Sequence, residues 1–154
     1  DLNAKAISDM FNQCTCTRLR RLTRRITSIY DRYLLPDELT ISQYSLLSRV
    51  GRHGLIANLR LAAEMGMDRS TLSRNIKPLM TAGWIVTAGM PPDEQLDKRS
   101  FGLTLSPEGK AKLDAARPNW LKAQQEINGL LGEDAHAALS DMIDNAYARL
   151  QQEA

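Results

Sequence analysis

Arg69, Ser70, Ser73, Arg74 and Lys77 recur at the spacing of one face of an α-helix. Together they line up hydrogen-bond donors, hydroxyls and positive charge along a single stripe. Such a stripe suits the base edges of a DNA major groove and the phosphates beside them. An ordinary solvated basic face has the same composition, so the reading depends on what holds the stripe. Leu72, Ile76, Leu79 and Met80 form the opposite, apolar face, and Asp68 stands where an N-cap is wanted. Just upstream, Leu59, Ala62 and Met65 fall three apart on a preceding helix, and Gly66 follows where the chain must turn with positive φ. From Ala62 to Gly66 to Leu72 the spacing is four then six. A small residue for close approach, a glycine corner and a branched residue packing back make a helix-turn-helix over residues 58–83.

The remaining reactive side chains are sparse. His53 and His136 are isolated, the first read as a helix-end partner and the second as a surface residue. No His/Cys/Asp/Glu cluster has metal-ligand spacing, no glycine-rich phosphate loop follows a strand, and no nucleophile sits beside a base. An enzyme is therefore not expected, nor a metal or cofactor. Cys14 and Cys16 open a helical stretch, with Arg18 and Arg20 one turn on from each. Nearby guanidinium groups favour the thiolate, the form that peroxides attack. Two cysteines two apart on one helix point in different directions, so a disulfide would have to be intermolecular or mixed. The alternative is a pair of small buried helix residues in a reducing cytosol.

At 154 residues the chain suits one domain with a real core, or a small domain with a dimerising extension. No apolar run approaches bilayer length and no secretory signal is visible, so a cytoplasmic location is expected. The net charge of +2 hides a gradient. Residues 8–35 hold six Arg against Asp9 and Asp31, and residues 49–112 hold ten Lys/Arg against six Asp/Glu, each a net +4. Residues 113–154 hold three Lys/Arg against seven Asp/Glu, a net −4. The positive charge thus accompanies the helix-turn-helix, as a phosphate-facing surface requires.

The other elements follow from periodicity. Residues 8–35 read as one long helix with a seam of Leu19, Leu22, Ile26, Ile29 and Tyr33, ended by Pro36. A shorter helix over 42–51, capped by Ser42, should bury Tyr44, Leu46, Leu47 and Val50, with Gly51 and Gly54 breaking it. Leu55–Ala57 is a candidate strand edge. After Gly83 the period changes to two: residues 84–87 and 101–105 read as strands joined by a polar loop, which together make a wing. Ser106, Pro107 and Glu108 signal a helix start. Its seam is Leu113, Ala116, Trp120, Ala123, Ile127 and Leu130, with Pro118 expected to bend it near Asp114. A last helix should bury Ala135, Leu139, Met142, Ile143, Ala146 and Leu150. The outer helices carry more apolar stripe than a winged domain can cover, so a second copy is the simplest partner. A two-fold dimer would place two recognition helices ~34 Å apart, as a palindromic site needs.

In this order of elements the whole chain resembles the MarR family of winged-helix transcriptional regulators. The most specific pieces are MDRSTLSRNIKPLMTAGWI (67–85) and DKRSFGLTLSPEGKAKL (97–113), the latter similar to the family's acidic-x-Arg wing and Leu-Thr…Gly helix start. The resemblance implies a mainly α fold with a small two- or three-stranded β wing. It implies a single domain over 1–154, in which 41–106 form the winged helix-turn-helix and 1–40 with 107–154 dimerise. It also implies that Ser70, Thr71, Ser73, Arg74 and Lys77 occupy recognition-helix positions. Ser73 and Arg74 are the candidate base readers, and Lys77 a phosphate contact. At the wing, with Lys98 between them, Arg99 would enter a minor groove while Asp97 holds its guanidinium. That is physically sensible, because a narrow minor groove concentrates negative potential. A surface ion pair of little consequence is the competing reading.

Members of the family commonly release DNA when a small aromatic acid or phenol binds, or when a cysteine is oxidised. The expected function is a homodimeric repressor of a palindromic operator, released by an aromatic ligand. The ligand pocket would lie between the long helix, the Tyr44 helix and the Trp120 helix, with Arg20 or Arg24 taking a carboxylate. The alternatives are peroxide sensing through Cys14 and Cys16, or a helical scaffold that does not bind DNA. Cys16 and Tyr30 are placed similarly to residues of the family's organic-hydroperoxide branch. Arg20 and Ile41, however, stand where that branch has further tyrosines.

Overall fold

The computed structural model describes residues 3–90 and 99–151, apart from the side chain of Phe11. In order these are α1 (Ala4–Asn12), α2 (Thr15–Leu34), a 3-10 turn (Leu35–Asp37), α3 (Ile41–His53), β1 (Ile56–Ala57), α4 (Asn58–Glu64), α5 (Arg69–Thr81), β2 (Ile85–Ala88), β3 (Gly102–Leu105), α6 (Pro107–Leu131) and α7 (Glu133–Gln151). The fold is mainly helical, with one three-stranded antiparallel sheet in the order β1-β3-β2. Among the described residues no helix is long and apolar enough to cross a membrane.

Two compact units emerge. One is Asp31–Trp120; the other comprises residues up to Tyr30 together with those from Leu121 on. The first holds the core. Leu46, Leu47 and Val50 of α3 meet Leu61 of α4, Leu72 and Leu79 of α5, Ile85 and Leu103 of the sheet, and Leu113 and Ala116 of α6. Of the expected face, Ala62 is buried, but Leu59 and the C-cap residue Met65 are only half-buried, whereas Leu61 is wholly buried. A helix of seven residues is too short for three-residue spacing to identify its inward face.

Helix α3 is longer than expected at both ends. Its N-cap is Thr40, not Ser42: Thr40 Oγ1 accepts from Gln43 N–H while the Gln43 side chain accepts from Thr40 N–H, a capping box. Gly51 does not break the helix. A Cβ there would come within 3.0 Å of Leu105 and Leu113 side chains, so this glycine serves close packing of β3 and α6. Gly54, at φ 74°, makes the actual end.

The second unit departs further from expectation. The single helix over 8–35 is two helices, broken at Gln13 and Cys14. The run Asn12–Thr17 contains no strong helix former except Gln13, and two of its residues are β-branched. Cys14 is left at the N-cap position of α2, with Arg18 N–H on its carbonyl. In α6, Ala123 and Ile127 are buried, but Leu130 is 73% exposed. Helix α7 buries none of its residues within this chain: Met142, Ile143 and Leu150 are all exposed. Its amphipathic pattern is real, but one copy of the chain does not cover it.

Candidate nucleic-acid interface

The corner between α4 and α5 forms as its residues dictate. Gly66 has φ 64°, a conformation that costs a residue with a Cβ about 1–2 kcal/mol. Asp68 caps α5 by accepting from Thr71 N–H at 2.7 Å. This hydrogen bond holds the Asp68 carboxyl below the usual carboxylate range, with a smaller contribution from Arg74. Stabilisation from a depressed acid is present above its unfolded pKa and is lost as pH falls through the folded one. Asp68→Ala should therefore melt lower than wild type at neutral pH. The gap should close as pH drops below the carboxylate range, as thermal scans at stepped pH would record.

Leu72, Ile76 and Leu79 anchor α5 to the core, each no more than 3% exposed. That anchoring turns Arg69, Ser70, Ser73, Arg74 and Lys77 outward together, and all five are exposed. Thr71 is half-buried; its Oγ1 accepts from Arg74 Nη2 at 3.5 Å, and its carbonyl accepts from Asn75 Nδ2 at 2.7 Å. Helix α5 continues through Pro78 to Thr81, although proline cannot donate the rung that would close on Arg74. Alongside runs a groove of about 380 Å3 lined by Ser73, Ile76, Lys77, Met80, Thr81 and Phe101.

The wing grows from the far side of the corner. β2 and β3 pair from Ile85↔Leu105 to Ala88↔Gly102. Arg99 is exposed in a turn just before β3. Asp97 and Lys98, expected beside it, lie outside the described residues. β1 pairs with the other edge of β3, Ile56↔Leu103 and Ala57↔Gly102. Asn58, only 3% exposed, then bonds twice to Phe101: its N–H donates to Phe101 C=O at 3.0 Å, and its Oδ1 accepts Phe101 N–H at 3.1 Å.

Where β3 passes into α6, Ser106 Oγ donates to Gly83 C=O and accepts from Gly109 N–H at 3.0 Å. Ser106 N–H also donates to Trp84 C=O at 3.0 Å. Asn58 and Gly109 carry this geometry, and neither was singled out as a site residue. Only the glycine of the Leu-Thr…Gly start hinted at one of them.

The candidate sensing residues are divided between the two units. Tyr44 and Trp120 stack with centroids 5.7 Å apart, and burial pushes the Tyr44 phenol up while Arg117 opposes it. Arg20 and Arg24 are exposed on α2, in the other unit. Cys14 and Cys16 are exposed free thiols, not buried helix residues. Hydrogen bonds from Thr17 hold the Cys14 thiol below its ordinary value, and Arg20 contributes least, so the guanidinium is not the main cause. His53 Nε2 lies 2.9 Å from Glu64 Oε2, and Arg49 and Arg60 meet the same carboxylate at 3.6 and 3.4 Å. Those of His53 and Arg49 tie α3 to α4, and His53 is thus a helix-end partner.

A corner with a polar outer helix, followed by a paired strand wing, defines a winged helix-turn-helix. The MarR family profile matches residues 39–87. The multiple antibiotic resistance protein MarR of Salmonella typhimurium is 31% identical over 145 residues, spanning 90% of this chain and 96% of its own. The M. tuberculosis transcriptional regulator MosR, solved in complex with DNA, is 28% identical with a TM-score of 0.72, covering 88% of this chain and 98% of its own. A probable transcriptional regulator from Pseudomonas aeruginosa has the same fold, with a TM-score of 0.76 at 22% identity and coverage of 88% and 98%. The chain belongs to the MarR family and is a transcriptional regulator, not an enzyme.

Proposed function

We propose that two copies of this chain form a homodimer that binds a palindromic site in double-stranded DNA. Arg69, Ser70, Thr71, Ser73, Arg74 and Lys77 act in the major groove; Asp97, Lys98 and Arg99 act at the flanking minor groove. The carrying observation is the five-residue polar face of α5, turned outward by a wholly apolar opposite face and capped by Asp68. The structure of MosR with DNA supports this use of the fold. Residues 41–106 supply the DNA-binding part, and 1–40 with 107–154 the dimerising part. The exposed Leu19, Leu22, Met142, Ile143 and Leu150 support the dimer, because apolar area left in water is unfavourable at about 25 cal/mol per Å2. The protein acts in the cytoplasm as a repressor released by a small aromatic or phenolic ligand. The exposed Cys14, with its lowered thiol pKa, favours peroxide sensing as a second reading. A thermal-shift screen of aromatic acids beside a peroxide titration separates the two.

Fluorescence anisotropy with pooled duplex promoter fragments tests the main claim. Binding should prefer some fragments and fall about a thousandfold between roughly 50 and 200 mM salt. Sedimentation of the same mixture should show two chains per duplex. Weak, sequence-blind binding, or a monomer throughout, would sink the reading.

A further inference from the structure

The sheet contains a rung made partly by a side chain. β1 and β3 pair Ile56↔Leu103 and Ala57↔Gly102, so the next partners in register are Asn58 and Phe101. In an antiparallel ladder such a pair exchanges two N–H···O bonds. At Asn58, however, α4 has already begun. A helical carbonyl points along the helix axis and cannot reach a neighbouring strand. Asn58 N–H still donates to Phe101 C=O, but the return bond from Phe101 N–H goes to the Asn58 side-chain Oδ1. The amide thus replaces the carbonyl that the helix has withdrawn. At 3% exposure it does so without burying a charge.

This rung sits at the root of the wing. Phe101 lies two residues from Arg99 and lines the groove shared with Ser73 and Lys77 of α5. On the opposite side Gly102 approaches so closely that a Cβ would fall 2.6 Å from Gly89 O. The root is therefore gripped from β2 by backbone contact and from α4 by Asn58. We infer that Asn58 is a positioning residue for DNA recognition. It holds the root of the wing in register with the helix-turn-helix, so that Arg99 and the polar face of α5 meet one duplex together. This inference rests on the DNA-binding reading proposed above.

The test uses the full chain with Asn58→Leu, which removes the acceptor at similar size, and Asn58→Asp, which keeps Oδ1. In hydrogen exchange without DNA, the Phe101 amide should exchange about tenfold faster in Asn58→Leu. Amides in the middle of α3 should not change, which separates a local effect from unfolding. Asn58→Asp should retain most of the protection once acid pH removes its buried charge. The second arm uses a duplex enriched from a randomised pool by the wild type. Arg99→Ala should weaken wild-type binding about tenfold but weaken Asn58→Leu much less, because the wing is already uncoupled. Unchanged Phe101 protection in Asn58→Leu would overturn the proposed link. Strictly additive losses in the DNA arm would overturn the positioning role. If the wild type enriches no duplex, the DNA reading falls and the role of Asn58 in recognition falls with it, whereas the exchange arm still reports on the rung by itself.

Discussion

Gly109→Ala should lower the melting temperature by about 10 °C, equivalent to about 3 kcal/mol of lost stability. On helix propensity alone the same change would stabilise a helix by roughly 1 kcal/mol. The surroundings reverse the sign. A Cβ on Gly109 would lie 2.1 Å from the Trp84 carbonyl oxygen and 2.8 Å from its carbon. Both are backbone atoms, and the same carbonyl accepts from Ser106 N–H, so it cannot swing away without breaking that bond. The first turn of α6 would have to lift off Trp84, the residue just before β2. Gly129 in the same helix is the control, since nothing lies within 4 Å of a Cβ there. Gly129→Ala should leave the melting temperature unchanged or raised. Thermal melts of the two variants side by side check the argument, and equal effects would refute it.

Arg74→Ala should abolish sequence preference, with a loss of about 1–3 kcal/mol on the preferred duplex. That is roughly tenfold to a hundredfold in affinity. Arg74 is the planar, multi-donor group at the middle of the exposed α5 face, and it reaches Thr71 Oγ1 only at 3.5 Å. It has little to give up on turning to a base edge. Lys77, a point charge one turn on, should behave differently: Lys77→Ala should weaken all duplexes alike and reduce the salt slope by about one. Anisotropy titrations on preferred and scrambled duplexes distinguish the two patterns. A uniform loss in Arg74→Ala would move that residue from base reading to phosphate contact.

The centre of the molecule was legible in the sequence because its rules are local. Gly66, Asp68 and the apolar spacing of α5 each have one physical reason to be where they are, and the three agree. Thr40 carries a local signal too, since a threonine followed three residues later by glutamine is a capping signature, but Ser42 offers a competing cap. The break at Cys14 was hidden by the seam that resumes at Leu19. Helix periodicity reports that a face will be covered, not by what, which is why the apolar positions of α7 are exposed in one chain. Asn58 could not be read at all. Before a helix an asparagine looks like a cap, and its partner Phe101 lies 43 residues away, beyond the reach of any local pattern.

The single residue Ser106 is the whole connection between β3, which ends at Leu105, and α6, which starts at Pro107. Such a joint has no spare length. One inserted residue after Ser106 would turn every downstream side chain of α6 by about 100° around its axis. Relatives that differ in chain length should therefore carry their insertions and deletions between β2 and β3, and none across this seam.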